Sequence, residues 1–265
     1  MTSPGTLLDR YIAGVSPLHR LEAKVKVLLT VAFILAVTSL PVGAWPFLAA
    51  FAALALAGLF LSRLPPHRVL ARSMLALPFV LVAVPTLFTR PGPALFTIPL
   101  LSWQVTATRE GLSFVLTVLA KSWVSVLAAT LLVSTTRFTD LLEALRGLRI
   151  PKVMVAILSF MYRYLFVLID EAMRMARARE ARSARLGPRP GGSAIWRGRV
   201  LGGMVGSLFI RTYERSERIY MAMLARGYDG QIRLLETPRV SLRSWAVVGI
   251  VVHILAALAA SARFL

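Results

Sequence analysis

The chain has 265 residues and no cysteine, so disulfides, thiolate metal sites and cysteine nucleophiles are excluded at once. Histidine is nearly as scarce. His19, His67 and His253 are far apart and lack ligand spacing, and no carboxylate cluster accompanies them, so no metal site is expected. Acids number 12 against 31 lysines and arginines, a formal net charge of +19. Their near absence from the apolar stretches argues against a proton-coupled carrier with a carboxylate relay. There is no glycine-rich phosphate loop and no GxSxG or HExxH pattern, which leaves no catalytic constellation and no cofactor to expect. The basic excess comes without an RNA- or DNA-binding motif, so nucleic acid is not an expected partner. Residues Met1–Gly14 have no apolar h-region after a basic start, and a cleavable signal peptide is not expected.

What is abundant is apolar surface. Hydrophobic residues make up 57% of the chain and mean hydropathy is +0.70, whereas a soluble domain sits nearer about 45–50% apolar. A soluble helical protein would need a polar face on each helix, and Trp45–Leu61 offers none. The composition predicts an all-α, polytopic membrane protein. Arginines cluster beside apolar runs, as the positive-inside rule requires of loops that stay cytoplasmic.

Taken in order, Ser16-Pro17-Leu18-His19-Arg20 marks a boundary before a helix. Arg20, Lys24 and Lys26 precede the first apolar run, which sets the N-terminus in the cytoplasm. Val27–Leu40 and Trp45–Leu61, parted by Pro41-Val42-Gly43-Ala44, read as a membrane hairpin. The first is short for the roughly 20 residues a crossing needs, unless Lys24 and Lys26 snorkel. Ser73–Thr89 reads as a third span bent at Pro78 and Pro85. Arg90–Glu110 reads as an external loop with a short re-entrant or interfacial piece around Trp103. Gly111–Val133 reads as a fourth span. Lys121 inside it faces another helix or snorkels, or else marks a functional site. Ser244–Ala262 is the fifth crossing and puts the C-terminus outside.

Between the fourth and fifth spans, Arg137–Arg243 holds 20 of the 31 basic residues and 9 of the 12 acids. Thr139–Arg146 is a short amphipathic helix. Leu141, Leu142 and Leu145 share one face, Asp140, Glu143 and Arg146 the other, with Thr139 as the cap. Pro151 is placed to open a helix running from Lys152 to about Leu186. After the loop Gly187–Gly192, a second long helix runs from about Ile195 to Ala225, in which Gly202, Gly203 and Gly206 are expected to serve close helix packing. Both long helices begin apolar and end charged. Two crossings here would put the eight arginines from Arg174 to Arg199 outside, against the charge rule. The two are therefore expected as long helices under, or partly in, the inner leaflet. The domain layout expected is 1–134 as a four-span membrane domain, 135–243 as a coupling-helix domain and 244–265 as the last span.

Two patches in this segment carry the candidate function: Ala181-Arg182-Ser183 and Ala225-Arg226-Gly227. An arginine near the tip of a rigid helix, flanked by small residues, can enter a groove on another protein. There it offers a planar fork to carboxylates or helix-end carbonyls. The same residues also read as solvated positive-inside arginines and, at Arg226-Gly227, as a plain glycine C-cap. The residues by themselves leave both readings open.

Four stretches carry a resemblance over nearly the whole chain. They are Ser16-Pro17-Leu18-His19-Arg20-Leu21, Asp140-Leu141-Leu142-Glu143-Ala144-Leu145, Phe160-Met161-Tyr162-Arg163-Tyr164 and, most specifically, Ser216–Gly230. The pattern resembles the transmembrane T subunit of energy-coupling factor transporters, of the cobalt type called CbiQ. That family carries two Ala-Arg-Gly signatures at the ends of two coupling helices. The second matches Ala225-Arg226-Gly227 in full. The first falls on Ala181-Arg182-Ser183, where serine replaces glycine and Ala178-Arg179 and Ala184-Arg185 are rival registers. The resemblance implies two ATP-binding cassette subunits whose grooves hold the two arginine-bearing tips. It also implies a separate substrate-binding membrane (S) subunit, a place in the cell's inner membrane, and cobalt as cargo. The chain itself would hydrolyse no ATP and bind no cofactor. A nickel or vitamin cargo stays open, and so does an ordinary permease using Lys121, Arg163 and His253. An integral-membrane enzyme would need paired catalytic residues that the chain lacks.

Overall fold

An apolar run inside a bilayer must satisfy its own backbone hydrogen bonds, and a helix does so within the segment. The computed structural model describes residues 11–12, 14, 16–74, 83–100, 103–148, 150–182, 193–230 and 242–263. Among them the order is α1 (Pro17–Arg20), α2 (Ala23–Ser39), α3 (Trp45–Leu61), α4 (Pro66–Ser73) and α5 (Thr86–Thr89). The strands β1 (Ala94–Leu100) and β2 (Trp103–Thr108) follow, then α6 (Arg109–Thr135), α7 (Phe138–Gly147), α8 (Lys152–Arg182), α9 (Ala194–Ala225) and α10 (Leu242–Ser261). The described residues form two compact units. One takes those of Arg10–Ala144 with those of Pro238–Leu265, the other those of Leu145–Thr237.

In the first unit α6 is the central post: α2, α3, α4, α5 and β2 all pack on it, and α10 packs on α2. The core stripe of α3 is Leu48, Phe51, Ala55 and Leu59, spaced three and four apart so that one helix face is buried. It meets Val124, Leu127 and Leu131 of α6, Ala36 and Val37 of α2, and Leu255 and Ala259 of α10 in one cluster, with Phe33 edge-on to Phe51. The other faces of α3 stay apolar and exposed, as on Leu54 and Phe60, which suits a helix whose solvent is lipid.

Several expectations are revised here. Helix α2 starts at Ala23, so Lys24 and Lys26 lie inside it rather than before it. Lys26 does not snorkel: it is buried and bonded to backbone carbonyls of other segments. Residues 75–82 of the expected third span lie outside the described residues; its flanks are the end of α4 and the single turn α5. The expected loop Arg90–Glu110 contains an antiparallel hairpin in which Ile98 pairs Val105 and Leu100 pairs Trp103. Its second strand carries β-branched and aromatic residues that favour pleated backbone. Thr139 is not a cap: α7 begins at Phe138, and the threonine hydroxyl donates to Asp140. In α7, Leu142 and Ala144 are the buried residues.

The second unit holds α8 and α9. Pro151 sits at the cap of α8, its carbonyl accepting from the Met154 and Val155 amides. Ser193 caps α9 by accepting from the Trp196 amide. The two helices are tied by Glu171, which bonds Arg174 on its own helix and Arg211 on α9 at 3.0 Å. No described residue packs against the glycines of α9. A Cβ on Gly198, Gly202, Gly203 or Gly206 would meet nothing within 4 Å.

Helices α6, α8 and residues Ser244–Ser261 of α10 are each long and apolar enough to cross a membrane, and α3 is a shorter apolar helix of 17 residues. The chain is thus a helical, multi-pass membrane protein. The charge rule had set the apolar half of α8 under the leaflet; by length and composition it is as able to cross as α6.

The N-terminus of α6 is the tightest joint. Thr108 caps it, accepting from the Gly111 amide at 3.1 Å and donating to the Arg90 carbonyl at 3.0 Å, while the Arg90 guanidinium lies over the Phe114 ring. A Cβ on Gly111 would come within 2.6 Å of the Leu87 carbonyl. Gly111→Ala should therefore force α5 off α6 and cost roughly 1–3 kcal/mol, read as a lower thermal unfolding midpoint in detergent. Gly203→Ala, with open space around it, should leave the midpoint unchanged or raise it.

Candidate functional site

One of the two arginine patches stands at the end of a long helix. Ala181 and Arg182 are the last described residues of α8 and both are exposed; Ser183 lies outside the described residues. Ala225 is the last residue of α9, and Arg226 is its C-cap. Gly227 follows with φ +81°, donating to the Leu224 carbonyl at 2.9 Å, and the Tyr228 amide donates to the Met223 carbonyl at 3.0 Å. This pair of bonds is a Schellman closure. It needs a left-handed residue, which glycine adopts without penalty. The glycine cap and the arginine tip are thus one structure. The turn that ends the helix leaves Arg226 exposed on its rim, where the helix dipole favours a cation.

Upstream on α9, Glu214 and Arg218 pair at 4.0 Å with the predicted four-residue spacing. Glu217 bonds the Tyr213 phenol and pushes its pKa up. The structure does not gather Arg182 and Arg226 into one pocket. Arg182 lies eleven residues past Glu171, roughly 16 Å along α8, and Arg226 fifteen past Arg211, roughly 22 Å along α9. The Glu171–Arg211 ion pair joins the two helices well short of either arginine.

The groups a permease path would need are placed otherwise. The Lys121 ammonium donates to the carbonyls of Thr38 and Leu40, at the end of α2. Its neighbour one turn earlier, Thr117, accepts from the amide of Gly43 in the α2–α3 turn. Lys121 thus faces another helix and closes its carbonyl end. His253 and Arg163 are exposed on their own helices. No group of three or more metal-ligating side chains occurs among the described residues.

The sequence reading missed the pairing of Glu171 with Arg211 and the bonding of Lys26. The one available signal was an acid set in an arginine-rich run and a lysine at the mouth of an apolar one.

The family described as cobalt transport protein, CbiQ, matches residues 14–236. The chain belongs to this family. It is 31% identical over 245 residues to an energy-coupling factor transporter transmembrane protein, EcfT, of Exiguobacterium sibiricum, covering 87% of this chain and 89% of that one. It is 32% identical over 249 residues to a putative fused cobalt transport protein, CbiMQ, of Methanocorpusculum labreanum, covering 88% of this chain and 39% of the fused one. An uncharacterized protein of Methanocaldococcus jannaschii is 29% identical over 242 residues, with 90% and 80% of the two chains covered. Membership of CbiQ makes this chain a membrane transport component of the energy-coupling factor type.

Two outcomes are expected in this CbiQ-family chain. Gly227→Ala should cost about 1 kcal/mol through the positive φ and speed amide exchange in the last turn of α9, with Gly227→Asn falling between. Lys121→Met should strand the Thr38 and Leu40 carbonyls and cost about 1–3 kcal/mol, read as a lower unfolding midpoint, while cargo preference stays that of wild type. A changed preference would restore the substrate path at Lys121.

Proposed function

We propose that the chain is the transmembrane coupling subunit of an importer in the cell inner membrane, with its N-terminus cytoplasmic. Two ATP-binding cassette subunits engage it at Arg182 and Arg226. Their closure on ATP moves the two helix tips, and α8 and α9 pass the motion to a separate substrate-binding membrane subunit. Residues 1–134 and 244–265 form the membrane domain in this reading and 135–243 the coupling domain. The ATP chemistry resides in the partner subunits.

The observation that carries the reading is Arg226 fixed as the C-cap of the 32-residue α9 by the Gly227 turn. A guanidinium held at a rigid tip, with Ala225 and Gly227 leaving room beside it, suits a groove lined by carboxylates or helix-end carbonyls. The open glycine face of α9 supports a second contact, since small residues let another membrane helix approach closely. Cobalt is the proposed cargo, on the strength of the family's description and the names of its relatives. Nickel or a vitamin in the same architecture is the alternative.

The test is a pull-down of tagged wild type and Arg226→Glu from native membranes. Wild type should bring down an ATPase pair and a small membrane subunit, and the variant should lose most of the ATPase. Uptake of labelled cobalt against nickel by the wild-type assembly then reads the cargo. A chain that purifies alone in both forms and still transports would end the coupling reading.

A further inference from the structure

A densely bonded polar cluster among the described residues of the first unit lies where α6 ends. Helix α6 leaves its last four carbonyls without intrahelical donors. Two of them are filled from the N-terminal segment: the Ile12 amide donates to the Ser134 carbonyl at 3.0 Å, and the Lys26 ammonium to the Thr135 carbonyl at 3.0 Å. The same ammonium donates to the His19 carbonyl at 3.4 Å. His19 in turn closes the segment on itself. Its Nε2–H donates to the Ile12 carbonyl at 3.1 Å, and its Nδ1 bonds the Ser16 hydroxyl at 2.6 Å. Tyr11 lies edge-on to the His19 ring and beneath the Arg137 guanidinium.

Lys26 is only 8% exposed. A cation at a helix carbonyl end is favoured by the aligned peptide dipoles. A neutral side chain of equal length would leave both carbonyls without their donor. The chain direction beyond α6 is decided in two residues, since α7 starts at Phe138. Thr136 is extended and buried, and Arg137 is held on Tyr11. Asp140, in the first turn of α7, is the carboxylate whose charge acts on Lys26. A movement of α7 therefore changes the field at Lys26. Loss of the Lys26 bonds releases the segment that fixes where α7 begins.

We propose that Lys26 is a positioning residue: it buckles the N-terminal segment to the end of α6 and so sets the angle at which the chain leaves the membrane bundle into α7. Its effect on transport rests on the coupling function proposed above; its effect on α7 does not.

Two measurements on the assembled complex test it, using Lys26→Met and Lys26→Arg. In the first, cargo taken up per ATP hydrolysed should fall at least tenfold in Lys26→Met, with ATPase subunits still co-purifying as in wild type, and Lys26→Arg should recover most of the ratio. In the second, amide exchange in Lys26→Met should quicken at least tenfold over residues 16–21 and 138–147, while residues 48–59 and 124–131 keep wild-type protection. A wild-type uptake ratio in Lys26→Met overturns the coupling role. Exchange that quickens equally across α2, α3 and α6 overturns the buckle and makes Lys26 an ordinary stabilising residue. A wild-type chain that brings down no ATPase defeats the coupling reading instead, and the exchange pattern of the chain alone then decides the buckle.

Discussion

Two lysines exchanged between antiparallel helices hold this fold in register. Lys26 of α2 closes the carbonyl end of α6, and Lys121 of α6 closes the carbonyl end of α2. Each helix thus carries the donor that the other lacks. In an apolar surrounding an unbonded carbonyl costs about 1–3 kcal/mol, so a slip of either helix is penalised at both ends at once. The apolar contacts of Phe51, Leu127 and Leu131 would tolerate several registers; the two ammonium groups do not. Helices α3, α4 and α5 and strand β2 are hung on α6 once α2 is fixed against it, while α10 is hung on α2 itself.

The second unit is built on the opposite principle. Helices α8 and α9 are joined through Glu171 and Arg211, with the arginine largely exposed. Such a pair contributes about 0–1 kcal/mol and is screened by salt. Long, stiff helices tied by a weak joint can change their angle at small cost, as the proposed coupling would require. The rigid features are instead at the tip of α9, where the Gly227 turn fixes Arg226 with respect to its own helix.

The sequence made the helices legible because their signals are local. Apolar runs located α2, α3, α6 and α10, Pro151 opens α8, and Gly227 marks the end of α9. Arg226 fell on a helix end for the same reason. What stayed hidden is the partner of each lysine. A backbone carbonyl has no identity in a sequence, so nothing in Thr135 or Leu40 announces that it receives an ammonium from another helix. The hairpin at Ala94–Thr108 was lost because Pro99 inside it and Pro91 and Pro93 just before it read as loop, while its two strands are held by pairing with each other. The glycine face of α9 was read as a surface for close helix packing, and no described residue covers it, so its partner was equally hidden.

The spacing of the two lysine clamps also has a mechanical meaning for the lipid. From Lys26 to Leu40 along α2, or from Lys121 to Thr135 along α6, is fourteen residues, roughly 21 Å. The hydrocarbon of an ordinary bilayer is about 30 Å thick. If both clamps lie at the headgroups, the bilayer beside the α2–α3 hairpin would thin to meet them, at a cost of fractions of a kcal/mol for each ångström of mismatch. That cost is smaller when a neighbour shares the same dimple. A short-spanning membrane partner would then be drawn toward this side of the protein by bilayer elasticity, before any side chain of the two had touched.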